Sequence, residues 1–312
     1  MLSFRTQDSG WNRRAPTDAT ALRLQVSSRF SPLEMWRRRV PVLARRYRQN
    51  LPCPHLLFEN FLEPEVALTM AKEFPQPTGD AWTQYRHVNE NKLGLPKREL
   101  FPPMLGAVTD ELNSPEFVEW LSALTGIPKL LADPSLDGGG LHQSERGGYL
   151  NVHTDFSTHH ANISWYRRVN LILYLNPGWD ERWGGAIELW EKSMEGKMTR
   201  CRAKYSPYLN NALIFTTDER SLHGFPDPLT CPAGESRKSL ALYYYTLERP
   251  EQCATRSTDY YARPQDGRPK AVMIWLDKKA IDLYSRAKAH LGFSDELASK
   301  VLGFLWEKKK RS

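Results

Sequence analysis

His153, Asp155, His223 and Arg237 are the residues whose types and spacing could do chemistry. In the run Gly-Gly-Tyr-Leu-Asn-Val-His-Thr-Asp over 147–155, strand alternation puts Tyr149, Asn151, His153 and Asp155 on one face. An imidazole and a carboxylate can then converge. His223 follows 68 residues after Asp155, just behind a strand expected over 212–216, where a returning strand would lie beside the first. Two imidazoles and one carboxylate hold one face of a metal and leave the other open, which suits non-haem Fe(II) oxygen chemistry. Arg237 comes 14 residues after His223 and shares a strand face with Ser239, so a guanidinium fork and a hydroxyl could grip one end of a dicarboxylate. Taken alone, an H-x-D pair is a weak sign, and a lone strand histidine is more often a hydrogen-bonded structural residue than a ligand. The four groups together carry the weight.

Positioning such a set requires strands. Between 141 and 246, β-rich runs at 149–153, 168–175, 186–190, 212–216 and 239–246 are separated by turn residues, the pattern of an antiparallel sandwich or barrel. Helices are expected on both sides: a basic one from 32 to about 48, one over 63–74 behind a short strand at 55–61, and one or two over 99–125 with their junction at Ser114-Pro115. Leu297, Val301, Phe304 and Leu305 behind Ser294 make the stripe of a last amphipathic helix. The chain thus divides into a basic arm and helix (1–50), a helical and strand support (51–140), a catalytic core (141–250) and C-terminal helices (251–312). His159 and His160 read as loop or structural residues. Trp179, Trp183 and Trp190 either wall the pocket or pack in the core. Gly184-Gly185 marks a tight strand entry or bulge.

Composition sets the outer bounds. Of 312 residues 40% are hydrophobic and 35 are aromatic, enough for a large core and against disorder throughout. No apolar run is long enough for a spanning helix. The +7 net charge belongs to residues 1–50, which hold 11 Arg, no Lys and the acids Asp8, Asp18 and Glu34; the rest of the chain is nearly neutral, which argues against nucleic acid as partner. A cytoplasmic location is the expectation, with organelle targeting by the Arg-rich start left open. Cys53, Cys201, Cys231 and Cys253 form neither a zinc pattern nor a disulfide framework, in keeping with a reducing compartment.

Over 141–246 the sequence resembles the Fe(II)- and 2-oxoglutarate-dependent dioxygenases, particularly their prolyl-4-hydroxylase-like branch. The likeness runs through G-G-Y-L-N-V-H-T-D-F, R-V-N-L-I-L-Y-L-N, G-G-A-I-E-L-W, H-G-F-P-D-P and R-K-S-L-A-L-Y-Y-Y-T. It implies a mainly β fold with flanking helices around a double-stranded β-helix (jelly roll) core. It also implies His153, Asp155 and His223 as iron ligands and Arg237 as partner of the distal carboxylate of 2-oxoglutarate. Tyr174 matches a tyrosine that helps bind that carboxylate in prolyl hydroxylases, and Asn170 points from the same face. Fe(II), 2-oxoglutarate and O2 are the implied cofactors, with ascorbate a candidate reductant. The implied activity is hydroxylation of an unactivated carbon in a prolyl or peptidyl, amino-acid or small-molecule substrate, with release of succinate and CO2. Asp155, where halogenating relatives have a small residue, favours hydroxylation. Tyr243 stands where the nucleic-acid demethylating branch has a second Arg. The interval from His223 to Arg237 is longer than in the nearest prolyl hydroxylases. A homodimer is left open, and the competing reading is a non-catalytic jelly-roll module with a structural metal. Such a site normally closes with four protein ligands, and only three align here.

Overall fold

Leu33, Trp36, Leu43, Ala44 and Tyr47 recur along one side of an otherwise Arg-rich segment, and helix α1 (Leu33–Gln49) buries that stripe while its arginines face outward. The computed structural model describes residues 30–248, 256–277 and 279. In it α1 lies against α4 (Pro115–Thr125), with α2 (Pro64–Glu73) and α3 (Pro103–Leu112) alongside. The junction at Ser114-Pro115 forms as its residues dictate: the Ser114 hydroxyl accepts from the Phe117 N–H at 3.3 Å, and Gly126, at φ 76°, ends α4 in the left-handed conformation. Trp36 stacks on Phe61 at 4.7 Å and meets Trp120 at 5.2 Å, so the helices share an aromatic core in which each buried ring contributes on the order of 2 kcal/mol.

Thirteen strands follow in chain order: β1 (His55–Phe58), β2 (Thr83–His87), β3 (Glu90–Leu95), β4 (Leu131–Ala132), β5 (Gly140–Ser144), β6 (Tyr149–Thr154), β7 (Trp165–Tyr174), β8 (Ile187–Lys192), β9 (Met198–Tyr205), β10 (Ala212–Thr216), β11 (Leu222–Phe225), β12 (Arg237–Leu247) and β13 (Asp259–Tyr260). One antiparallel layer runs β10-β7-β12-β5, with β1 added outside β10, and the other runs β6-β11-β8-β9. Strand β3 stitches the two, pairing Leu93 with Gln143 of β5 and Glu90 with Leu150 of β6. The result is a nearly closed barrel, the jelly roll that the sequence implies. Along β7, Val169, Leu171 and Leu173 join the core shared with the helices, while Asn170 and Ile172 face the barrel interior. Covered on both faces, β7 reads as an almost continuous apolar run.

All six strands expected from the sequence form, at slightly different bounds: β1 and the five of the core. The hairpin β2–β3, and β4, β5, β9, β11 and β13, were not among them. Past 255 the described chain holds β13 and helical residues from 268 to 277. The basic arm before residue 30, Cys253 and the stripe at 294–305 lie outside the described residues. Cys53, Cys201 and Cys231 are free thiols, and among the described residues no helix is long and apolar enough to cross a membrane.

Candidate active site

His153 sits on β6 and His223 on β11, and the two pair directly across the strands. Their rings are 4.4 Å apart. Asp155, just past the end of β6, completes the set: its Oδ1 is 3.6 Å from His153 Nε2 and its Oδ2 is 3.5 Å from His223 Nε2. One ligand atom from each lies within 4.8 Å of the others, the one such group of His, Cys, Asp and Glu among the described residues. Both imidazoles are locked from behind. His153 Nδ1 is 2.9 Å from the Asn151 carbonyl and His223 Nδ1 is 2.8 Å from that of Ser221. A carbonyl only accepts, so each Nδ1 carries a proton, and in the neutral tautomer each Nε2 is the atom left to turn a lone pair toward Asp155. Two lone pairs and a carboxylate facing one another repel unless a cation lies among them. The donor set fits a divalent metal.

Electrostatics keep this set charged in the right sense. Burial alone would raise the Asp155 carboxyl, but the Arg167 guanidinium leads the charges that outweigh it and hold the group well below the usual carboxylate range. Burial pushes the His223 imidazole down to about 4, so it stays neutral and ready to donate its lone pair. Asp155 Oδ2 accepts from Asn170 Nδ2 at 2.8 Å and lies 3.2 Å from Arg167 Nη2. Arg167 in turn donates from Nε to Asn170 Oδ1 at 2.9 Å, with its guanidinium 3.3 Å from the centre of the Tyr243 ring.

Arg237 opens β12 and is 6% exposed. Its Nε donates to the Gly185 carbonyl at 2.7 Å and its Nη2 to the Tyr174 hydroxyl at 3.3 Å. Among the described residues no acid pairs with it, and burial pulls its pKa down against the partial support of Tyr174. A buried guanidinium without a counter-ion is costly, so this corner is built for an incoming anion. Ser239, two residues on, lines the same cavity of about 330 Å³ together with His153, Asp155, His223 and Arg237.

Two expectations need correction. Tyr149 and Asn151 do not share the cavity face with His153; Leu150 does. Between the pairs His223–His153 and Phe225–Leu150, β11 advances two residues while β6 advances three, and this bulge reverses the alternation. Asn151 Nδ2 is spent on the Asn89 side chain at 3.1 Å, and the Tyr149 hydroxyl donates to the His87 carbonyl at 3.1 Å. Asn170, expected beside the far end of the diacid, grips Asp155 instead. Tyr174 is fully buried and meets the cavity only through Arg237. Trp179, Trp183 and Trp190 pack in apolar clusters and do not line the cavity. His159 is buried 3.5 Å from Asp133 as a structural residue, while the exposed His160 holds Asp137 at the cavity rim.

Arg167 and the β2–β3 residues Tyr85, Glu90 and Lys92 line the cavity without having been singled out in the sequence. For Arg167 one signal was present: a charged residue at the entry to the apolar run Val-Asn-Leu-Ile-Leu-Tyr needs a buried acid.

Gly185 makes the Arg237 corner possible. Its φ is +77°, and a Cβ there would stand 2.7 Å from Leu229 Cδ2 and 3.0 Å from Arg237 Cδ. Gly185→Ala is therefore expected to cost about 1–2 kcal/mol of stability and to weaken binding of the diacid by displacing Arg237. Thermal unfolding and a 2-oxoglutarate titration of the variant check both effects, and unchanged values would refute them.

Residues 139–245 match the family model described as the 2OG-Fe(II) oxygenase superfamily. This stretch is a 2OG-Fe(II) oxygenase domain, and the chain is a 2-oxoglutarate-dependent dioxygenase; Fe(II), 2-oxoglutarate and O2 are the cofactors that the family implies. Among solved structures the chain is similar to a prolyl-4-hydroxylase of Pseudomonas putida, at 16% identity and a TM-score of 0.45, covering 67% of this chain and 100% of that one. It is also similar to a prolyl hydroxylase of Trichoplax adhaerens, solved in complex with a peptide fragment of the hypoxia inducible factor oxygen degradation domain. There the identity is 17% and the TM-score 0.49, over 72% of this chain and 96% of that one. A third, among the prolyl 4-hydroxylases of Phytophthora capsici, shares 15% identity at a TM-score of 0.49, over 88% and 93% of the two chains. No curated protein matches the chain.

Proposed function

We propose that the chain hydroxylates an unactivated carbon of a prolyl or peptidyl, amino-acid or small-molecule substrate. His153 and His223 through Nε2, and Asp155 through a carboxylate oxygen, would hold the iron. Arg237, backed by Tyr174 and flanked by Ser239, would hold the far carboxylate of 2-oxoglutarate. The observation that supports this reading best is that three inward-facing donors and a buried guanidinium without a counter-ion line one cavity. Fe(II) held there would let O2 oxidise 2-oxoglutarate and substrate together, one oxygen atom ending in succinate as CO2 leaves and the other turning a substrate C–H into C–OH. The chain supplies geometry and dryness. The carbonyls of Asn151 and Ser221 keep both Nε2 atoms aimed at Asp155. Asn170 and Arg167 hold Asp155 Oδ2 and so orient the carboxylate. Arg237 fixes one end of the diacid, which orients the other toward the three donors.

The test is consumption of 2-oxoglutarate by the full chain with Fe(II) under air, followed as succinate and CO2. Turnover that stops on chelation and returns with Fe(II) but not Mg(II) supports the reading. No consumption of 2-oxoglutarate under these conditions would overturn it.

A further inference from the structure

Lys92 is the cation in this cavity that the proposed chemistry leaves unused. Alternation along β3 brings Glu90 and Lys92 to one face, and both line the cavity with the iron-site residues. Across the hairpin Lys92 pairs with Tyr85, and its Nζ lies 5.3 Å from the centre of that ring. The other charged groups of the wall have their partners. Asp155 meets Arg167, Asp137 meets His160 at 2.9 Å, and Glu90 Oε1 meets His87 Nε2 at 2.8 Å. Arg237 is taken by the diacid on the reading above. Lys92 Nζ lies 3.0 Å from Glu90 Oε2, which occupies one of its three donors. The side chain is 17% exposed and lines the cavity, and among the described residues Glu90 is its one ion-pair partner. Donors of that strength inside a wall call for an acceptor, and one that reaches them shares the space of the reacting carbon.

We infer that Lys92, anchored by Glu90 and flanked by Tyr85, receives a carboxylate of the substrate, which makes the substrate a small carboxylic acid such as a free amino acid. The inference rests on the reading of the site as that of a 2-oxoglutarate dioxygenase. A residue inside a peptide presents neutral amides at both ends, whose carbonyls accept from an ammonium more weakly than a carboxylate does.

The experiment offers the iron-loaded full chain, with 2-oxoglutarate, the common amino acids and 2-hydroxy acids as free acids, the same compounds as carboxamides, and short peptides with both termini capped. Two readouts are taken: products heavier by one oxygen atom, and the Tm shift with Mn(II) replacing Fe(II), which needs no turnover. At least one free acid is expected to be oxidised and to raise Tm, with its amide at least about tenfold poorer in kcat/KM, as the loss of one charge-assisted hydrogen bond predicts. Lys92→Gln should erase the preference for acid over amide, and Lys92→Arg should retain it. Amides or capped peptides that match or exceed the acids, or no response to any acid, overturn the inference. The wild-type acid and amide comparison decides the matter even where a variant folds poorly. A wild-type chain that consumes no 2-oxoglutarate at all removes the reading beneath it, whereas one that consumes it without favouring acids removes the carboxylate site alone.

Discussion

Asp155→Ala is expected to lose metal binding by more than about 100-fold and to form no product, because substitutions that only touch a ligand's hydrogen-bond partner already cost 10–100-fold. The variant also has a folding cost that must be separated from the metal effect. The Arg167 side chain is 1% exposed, and removing its carboxylate strands a buried cation, at about 3–5 kcal/mol. A lower Tm alone would therefore prove nothing about a metal. The double variant Asp155→Asn, Arg167→Met removes both charges and should recover much of the lost stability while metal affinity stays lost. Mn(II) titration and thermal unfolding of the three proteins provide the check. Should the double variant bind metal as the wild type does, Asp155 is not a ligand.

Arg237→Met gives the second large effect and has an unusual sign on stability. A guanidinium engaged by a carboxylate through paired charge-assisted hydrogen bonds contributes several kcal/mol, so the apparent KM for 2-oxoglutarate should rise at least about 100-fold. Arg237→Lys keeps a charge but loses the fork, and should fall between the two. A structural arginine would destabilise the fold on removal. Arg237 donates to Gly185 and Tyr174 but meets no acid among the described residues, and burial without a counter-ion is itself a cost. The Tm of Arg237→Met should accordingly match or exceed that of the wild type when no diacid is added. Steady-state kinetics beside unfolding curves decide this, and a large loss of Tm with an unchanged KM would contradict the assignment.

How legible this site is in the sequence depends on whether a strand stays regular. Along β12, Arg237, Ser239, Ala241 and Tyr243 line the cavity at every second residue, as simple alternation predicts. On β7 the expected alternation fails at its start. Arg167 and Asn170, three apart, should face opposite sides, yet both line the cavity, because β7 steps two residues while β12 steps one between Val169–Tyr244 and Arg167–Tyr245. The bulge on β6 hides Leu150 in the same way. An extra residue in a strand is a property of backbone pairing and carries no residue code of its own.

Two of the missed strands share another cause. Strand β9 is exposed along most of its length, with only Met198, Ala203 and Tyr205 half-buried against the core, and β2 is largely exposed with it. Both are read by pairing and not by burial. The hairpin's Tyr85, Glu90 and Lys92 thus stand without an assigned element in the support region 51–140, although they form part of the cavity wall. The helices were easier: Pro and Ser at their starts and one apolar stripe each specify them locally.

A crystal of the full chain soaked in Mn(II) and 2-oxoglutarate, measured at a wavelength where manganese scatters anomalously, puts the central claim to its most direct trial. The account predicts one strong peak among His153 Nε2, His223 Nε2 and the Asp155 carboxylate, with the diacid reaching from that peak to the Arg237 guanidinium. A metal bound elsewhere, or a diacid that leaves Arg237 without a carboxylate, would contradict it.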